Sequence, residues 1–289
     1  MNIIVGKTAG FCYGVKRAVE NAEKQIENEK KIYCLGEIVH NSIVINTLKE
    51  KGIEFIDDIK ETKGKTIIRA HGVEKDIYDY AKKNNIEIED YTCPKVVMIH
   101  EKVERYVNKG YYIFLCGNKA HPENIGTISY CNNKCSNIER KEDIKLALEE
   151  LYKSNLNKVI LISQTTYSLK MFQEIQEIIE KKLDESYELI IENTICKATE
   201  VRQKETNALS KNVDMMIIIG GKNSSNTKKL YDISKANLEN SICIEDVLEI
   251  NQEIDKKIFN SDKIGIMAGA STPNVSIQEV IKYIENSKK

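Results

Sequence analysis

A chain of 289 residues is too long for one ordinary core and long enough for two or three small α/β units. Hydrophobic residues make up 41% and charged residues 30%, a balance that excludes wholesale disorder. The 43 basic and 44 acidic residues nearly cancel to a formal charge of −1, so nothing asks for nucleic acid or an anionic membrane as partner, and any bound anion must be held by local donors.

The opening MNIIVGKTAGFC lacks the charged, apolar and cleavage-site regions of a secretory signal. No apolar run approaches the roughly 18 residues needed to span a bilayer. A cytoplasmic protein is expected, and its eight cysteines are then reduced thiols used for metal, catalysis or packing. Strands are expected at 2–5, 31–35, 66–69, 86–89, 111–116, 159–163, 188–192, 215–220, 241–244 and 264–268. Amphipathic helices are expected at 15–28, 95–108, 167–183, 197–210 and 276–285. This alternation is the pattern of α/β structure with mainly parallel sheets.

Three times a polar turn carries a cysteine into a helix: at Cys12 in GFCYG, Cys93 in YTCP and Cys196 in NTICK. The intervals of 81 and 103 residues match one small α/β domain each. The expected organisation is three units, 1–92, 93–192 and 193–289, in a pseudo-threefold arrangement with the three helix starts at its centre. One large doubly wound sheet is the alternative.

A thiol at a helix start sits among unpaired N–H groups and the positive end of the helix dipole, which favour the thiolate. Pro94 suits the first helical position because its missing N–H is not needed there. Three such thiolates suit an iron–sulfur cluster with one iron left open for chemistry. The plain alternative is three ordinary turn or buried cysteines. Cys34, Cys116 and Cys243 read as small core residues. Cys131 and Cys135 form a C-x₃-C pair that could be half of a zinc site, but no second pair with suitable spacing exists.

Of four histidines, three fall at strand ends, His40, His71 and His121, while His100 lies mid-helix as a surface or packing residue. After the strand at 215–220 comes Gly221-Lys222-Asn223-Ser224-Ser225-Asn226-Thr227, and after 264–268 comes Gly269-Ala270-Ser271-Thr272. A glycine turn with Ser or Asn at a helix start makes an anion cradle, or else a simple helix cap. Ligands of open α/β sheets sit at the carboxyl ends of strands, where these segments lie. Glu123, two residues after His121, is the carboxylate best placed to act as an acid, its alternative being an exposed loop carboxylate. Thr165 and Thr166 close another strand with hydroxyls. Imidazoles, hydroxyls and one carboxylate beside an open iron suit reduction coupled to proton delivery.

In order along the chain, AGFCYGVKRAVE, LGEIVHN, RAHGV, DYTCPKV, AHPE, SQTT, NTICKATEVRQ, GGKNSSNT and AGASTP resemble the 4-hydroxy-3-methylbut-2-enyl diphosphate reductase family, also called IspH or LytB. The resemblance implies three α/β domains around a central [4Fe–4S] cluster held by Cys12, Cys93 and Cys196. It places the substrate diphosphate among His40, His71, His121, Ser224, Ser225, Asn226 and Ser271. Thr165 and Glu123 would flank the substrate hydroxyl, with Glu123 in the proton path. The implied reaction is a two-electron reductive dehydroxylation giving isopentenyl and dimethylallyl diphosphates and water, with electrons from a small carrier such as ferredoxin or flavodoxin. Ala120 stands where the family usually has glycine, a methyl expected to narrow the site, and Lys95 replaces a commoner leucine. The competing class is a non-catalytic binding protein with zinc on the same three cysteines.

Overall fold

The computed structural model describes residues 2–28 and 31–287. In chain order the first elements are β1 (Asn2–Val5), α1 (Tyr13–Asn28), β2 (Ile32–Leu35), α2 (Ser42–Glu50), β3 (Ile53–Ile56), β4 (Thr66–Ile68), α3 (Lys75–Lys83) and β5 (Ile88–Asp90). Next come α4 (Pro94–Asn108), β6 (Tyr112–Cys116), α5 (Pro122–Ser129), β7 (Cys135–Ile138), α6 (Ile144–Lys153), β8 (Lys158–Ser163), α7 (Leu169–Lys182) and β9 (Glu188–Ile191). The last are α8 (Lys197–Leu209), β10 (Met215–Ile219), α9 (Ser225–Asn237), β11 (Ser241–Ile244), α10 (Gln252–Phe259), β12 (Lys263–Ala268) and α11 (Asn274–Asn286).

The strands form three four-stranded sheets, ordered β11-β10-β12-β1, β3-β2-β4-β5 and β7-β6-β8-β9, and every pairing is parallel. The single doubly wound sheet is thereby excluded. Numbered within each repeat, all three sheets read 2-1-3-4. In the first of them the fourth place is taken by β1, from the opposite end of the chain. Its register runs from Asn2 opposite Lys263 to Val5 opposite Ile266.

Contacts divide the chain into two compact units: Met1–Val19, Val39–Lys51 and Lys197–Lys289 in one, Glu20–Ile38 and Gly52–Cys196 in the other. This differs from contiguous units 1–92, 93–192 and 193–289. β1 belongs with the strands after residue 197, and α2, which links β2 to β3, belongs to that same unit. A boundary falls inside α1.

The first unit buries Met215, Ile217 and Ile219 of β10 with Ile264, Ile266 and Ala268 of β12 against Ile277, Val280 and Ile284 of α11. On the other face Met216, Ile218 and Met267 pack with Leu230 of α9. In the second unit, β6 sends Tyr112, Phe114 and Cys116 to one side and Ile113 and Leu115 to the other, and both sides are buried. Strands covered on both faces read as continuous apolar runs, which is why β6, β8, β10 and β12 are legible in the sequence. The edge strands β3 (IEFI) and β7 (CSNI) carry polar residues and lie outside the expected set.

Candidate functional site

The 2-1-3-4 order puts the topological switch point of each sheet between its first and third strands, where the following loops diverge and leave a crevice. Five residues beyond the end of the first strand stand His40, His121 and Ser224; three beyond the end of the third stand His71, Thr166 and Ser271. Each fourth strand (β5, β9, β1) runs into a cysteine and then into the helix that carries the chain to the next sheet. The cysteine N–H bonds the carbonyl two residues past the third strand every time: Cys93 to Ala70 at 2.9 Å, Cys196 to Thr165 at 2.9 Å and Cys12 to Ala270 at 3.0 Å. The repeat seen as Cys-into-helix is thus a repeat of backbone anchoring as well.

Cys12, Cys93 and Cys196 are thiols outside any disulfide and of intermediate exposure, each directly before or capping a helix. The other cysteines differ. Burial pushes the thiols of Cys34 and Cys243 up to about 12 and about 11, and that of Cys116 further still. The single Cys131 S–H has two acceptors within reach, Cys135, a contact that raises the Cys131 thiol, and the Thr127 carbonyl at 3.6 Å. Three soft, accessible donors at helix N-termini fit an iron–sulfur cluster; the remaining thiols are packing residues or, for Cys131 and Cys135, within hydrogen-bonding reach of one another.

In the unit holding residues 52–196, α5 begins with His121 as its N-cap. The Glu123 N–H donates to His121 Nδ1 at 3.2 Å, so this nitrogen is unprotonated and the neutral ring carries its proton on Nε2. His71 packs edge-to-face on the His121 ring, centroids 5.3 Å apart. Glu123 is 2% exposed, which overturns the reading of an exposed loop carboxylate. It accepts from the Thr165 N–H at 2.6 Å, and its second oxygen lies 2.6 Å from Thr165 Oγ1. Burial raises its carboxyl to about 7, and the two Thr165 bonds hold it from rising further. Thr165 therefore joins the acid, through its N–H and hydroxyl, to the Cys196 peptide, through its carbonyl. His100 is a packing residue, stacked on Tyr130 with centroids 4.6 Å apart, and burial lowers its pKa to about 4.

In the unit holding residues 197–289, Ser224 caps α9 by accepting from the Thr227 N–H at 3.3 Å, which leaves its hydroxyl proton available. Asn226 is 98% buried, and neither its amide nitrogen nor its oxygen has a hydrogen-bond partner; the Thr227 hydroxyl is likewise orphaned. Ser225 is half-buried at the first position of α9. The Ser271 hydroxyl donates to the His40 carbonyl at 3.0 Å, so binding an anion through it requires the proton to be re-aimed. A Cβ on Gly221 would stand 2.4 Å from that carbonyl, so glycine is what lets the His40 backbone approach.

Of the two departures, Ala120 is exposed with its N–H on Asn118 Oδ1 at 2.8 Å, directly before His121, and Lys95 is exposed in the first turn of α4. Sequence reasoning passed over Gln164, buried and bonded to the Asn118 N–H at 3.1 Å, and over Arg202 and Glu205 on α8. Their only signal was polar side chains in the motifs SQTT and NTICKATEVRQ, or just beyond the latter.

Among the described residues no helix is long and apolar enough to cross a membrane. A family profile described as LytB protein matches residues 3–285. A 4-hydroxy-3-methylbut-2-enyl diphosphate reductase of Thermoanaerobacter sp. (strain X514) is 43% identical over 98% of this chain and 96% of its own length. The solved structure of a Plasmodium falciparum E-1-hydroxy-2-methyl-but-2-enyl-4-diphosphate reductase superposes with a TM-score of 0.86 at 32% identity, covering 99% of this chain and 87% of that one. A solved (E)-4-hydroxy-3-methyl-but-2-enyl diphosphate reductase, described as the terminal enzyme of the non-mevalonate pathway, superposes at 0.70 with 38% identity, covering 99% and 100%. With three parallel sheets, a cysteine anchored after the fourth strand of each, and similarity along nearly its whole length, the chain belongs to the LytB family.

Proposed function

We propose that the chain catalyses the two-electron reductive dehydroxylation of 4-hydroxy-3-methylbut-2-enyl diphosphate. Two electrons and two protons enter; the carbon–oxygen bond breaks, one proton leaves with the hydroxyl as water, and the other forms the new C–H bond of isopentenyl or dimethylallyl diphosphate. The observation that carries this reading is the buried Glu123–Thr165 pair, a carboxyl held near neutrality and bonded to the residue that accepts from the Cys196 N–H.

Cys12, Cys93 and Cys196 would hold a [4Fe–4S] cluster, which when bound supplies the electrons and a Lewis acid for the departing oxygen. The chain's own residues do the rest. A carboxyl near 7 is protonated for a useful fraction of the time at neutral pH and still acidic enough to give that proton up. Glu123 delivers it through the Thr165 hydroxyl, which can receive on one side and donate on the other. His121, whose Nδ1 accepts from the Glu123 N–H, offers the diphosphate a hydrogen bond through Nε2, and His71 and His40 offer theirs. Asn226, whose buried amide has no partner within the chain, would gain from a ligand the hydrogen bonds it lacks. Ser224, Ser225 and Ser271 complete the donor set. Electrons come from a small ferredoxin or flavodoxin, and the reducing cytoplasm keeps the three thiols free.

Anaerobic purification tests the reading directly. Brown protein with iron and acid-labile sulfide, turning over the allylic diphosphate with a reduced donor, is expected. Colourless zinc protein without turnover would sink it in favour of a binding module. Cys12→Ser, Cys93→Ser and Cys196→Ser should each destabilise the cluster, because serine is a poor ligand for soft metal.

A further inference from the structure

The loop that carries Cys12 is gripped by side chains from a helix nearly two hundred residues away. Arg202 of α8 is 3% exposed. Its Nε and Nη2 donate to the Thr8 carbonyl at 2.8 and 2.6 Å, and Nη2 donates also to the Gly10 carbonyl at 2.7 Å. One turn on, Glu205 accepts from the N–H groups of Lys7 at 2.7 Å and Thr8 at 3.0 Å, and from the Thr8 hydroxyl. Gly10 adopts φ +98°, a conformation that glycine tolerates and that aims its carbonyl at the guanidinium. Beyond it, Cys12 is pinned by its N–H bond to Ala270.

The other two thiol loops are anchored differently: Thr194, two residues before Cys196, accepts from the Ser163 N–H at 2.7 Å and donates to the Ser163 carbonyl. The Cys93 loop is held by the Thr92 N–H on its neighbour Asp90 at 2.8 Å and by a bond from the Tyr91 hydroxyl to the Asn21 carbonyl of α1 at 3.5 Å. Ahead of Cys196, Glu192 takes the Tyr106 hydroxyl of α4 at 2.9 Å and an ion pair from Lys102. In each case the helix launched by one cysteine touches the loop of another, and among the described residues an arginine fork paired with a carboxylate does so at Cys12 alone. Without that grip the loop carbonyls of Thr8 and Gly10 and the amides of Lys7 and Thr8 would turn to water, and the thiol would move with them.

We infer that Arg202 and Glu205 are positioning residues that fix the Cys12 thiolate in its place as a metal ligand. The inference rests on the reading that Cys12, Cys93 and Cys196 hold the cluster. A lysine at 202 keeps the charge but cannot span two carbonyls with a planar fork. A glutamine at 205 keeps the shape but cannot accept three hydrogen bonds with the strength of a carboxylate. Loosening the grip should release Cys12 first and leave the other two ligands in place.

The test uses anaerobically reconstituted holoprotein, wild type, Arg202→Lys and Glu205→Gln, reacted with iodoacetamide for timed intervals and mapped peptide by peptide. In wild type all three cysteines should be protected relative to iron-free protein. In the variants Cys12 alkylation should rise about tenfold, the scale of one lost charged hydrogen bond, while Cys93 and Cys196 stay protected at early times. Iron release to a chelator should quicken in parallel. Equal protection of all three cysteines in both variants would overturn the inference, as would their simultaneous exposure, which marks general loosening. If iron fails to protect these cysteines in wild type, the cluster assignment itself falls. Should Arg202→Lys not fold, Glu205→Gln carries the same readout.

Discussion

The β6–β8 crevice and the β10–β12 crevice are built on the same strand order and filled in opposite ways. In the first, the acid and its neighbour satisfy one another: Glu123 takes both hydrogen bonds that Thr165 can offer it. In the second, both ends of the Asn226 amide and the Thr227 hydroxyl are buried with nothing to bond. A self-satisfied pair is rigid and tunes a proton; an unsatisfied group stores a desolvation cost that a ligand can relieve. One scaffold thus carries a raised carboxyl in one repeat and unsatisfied polar groups in another, by the choice of a few side chains, and the roles proposed for them are acid and anion receptor.

The comparison breaks most sharply at the acid. Glu123→Gln keeps the shape and can still accept from the Thr165 N–H, but it has no proton to deliver. Turnover should fall about 10²–10⁴-fold, with iron content and substrate affinity close to wild type, as steady-state kinetics and metal analysis would show. Loss of iron instead would make the residue structural.

The same pair predicts a pH dependence of stability. The Glu123 carboxyl sits at about 7 in the folded chain, above its unfolded value, so its contribution is fully present at low pH and is lost as pH rises through about 7. From the size of that displacement, wild type should lose on the order of 3 kcal/mol between pH 4 and 8 relative to Glu123→Gln, which does not titrate. Parallel urea melts at the two pH values measure the difference; curves that stay parallel would mean that the carboxyl is not raised.

On the receptor side, Asn226→Ala should weaken substrate binding roughly tenfold to a hundredfold, since hydrogen bonds to charged groups are worth about 1.5–3 kcal/mol. Without substrate the same variant should lose little stability for its size, because it removes atoms that had no partner. Unchanged affinity would place the diphosphate elsewhere. The smallest effect is at Thr227→Val, which replaces an orphaned hydroxyl by a methyl. It should raise the melting temperature slightly, by about 1 kcal/mol or less of stability; a clear loss would show that the hydroxyl has a partner after all.

What the sequence displayed follows the physics of burial. Strands covered on both faces announce themselves as apolar runs, and cysteines before helices stand out from their turns. The edge strands β3 and β7 do not, because Glu54, Ser136 and Asn137 interrupt their apolar pattern. The place of β1 was hidden for a different reason. Asn-Ile-Ile-Val marks a strand but says nothing about its neighbour, and adjacency in sequence favoured β2. Glu123 was picked out from its position after His121, while its burial depended on Thr165, forty-two residues on. Arg202 and Glu205 looked like the polar face of an amphipathic helix, and only the folded chain turns that face onto Thr8 and Gly10.

The location of β1 also sets a timetable. It is made before the other strands described, yet its partner β12 begins at residue 263, so at roughly 5–20 residues per second it waits for tens of seconds on the ribosome. During that wait Asn2–Val5 is an unpaired apolar edge, the kind of segment that recruits wrong partners. The sheets ordered β3-β2-β4-β5 and β7-β6-β8-β9 have no such delay, since all their strands emerge consecutively. The carbonyl that receives the Cys12 N–H, on Ala270, arrives last of all. The Cys12 loop is therefore expected to reach its final anchorage only after Ala270 has emerged, and a nascent-chain chaperone shielding Asn2–Val5 until then would raise the yield of correctly paired molecules.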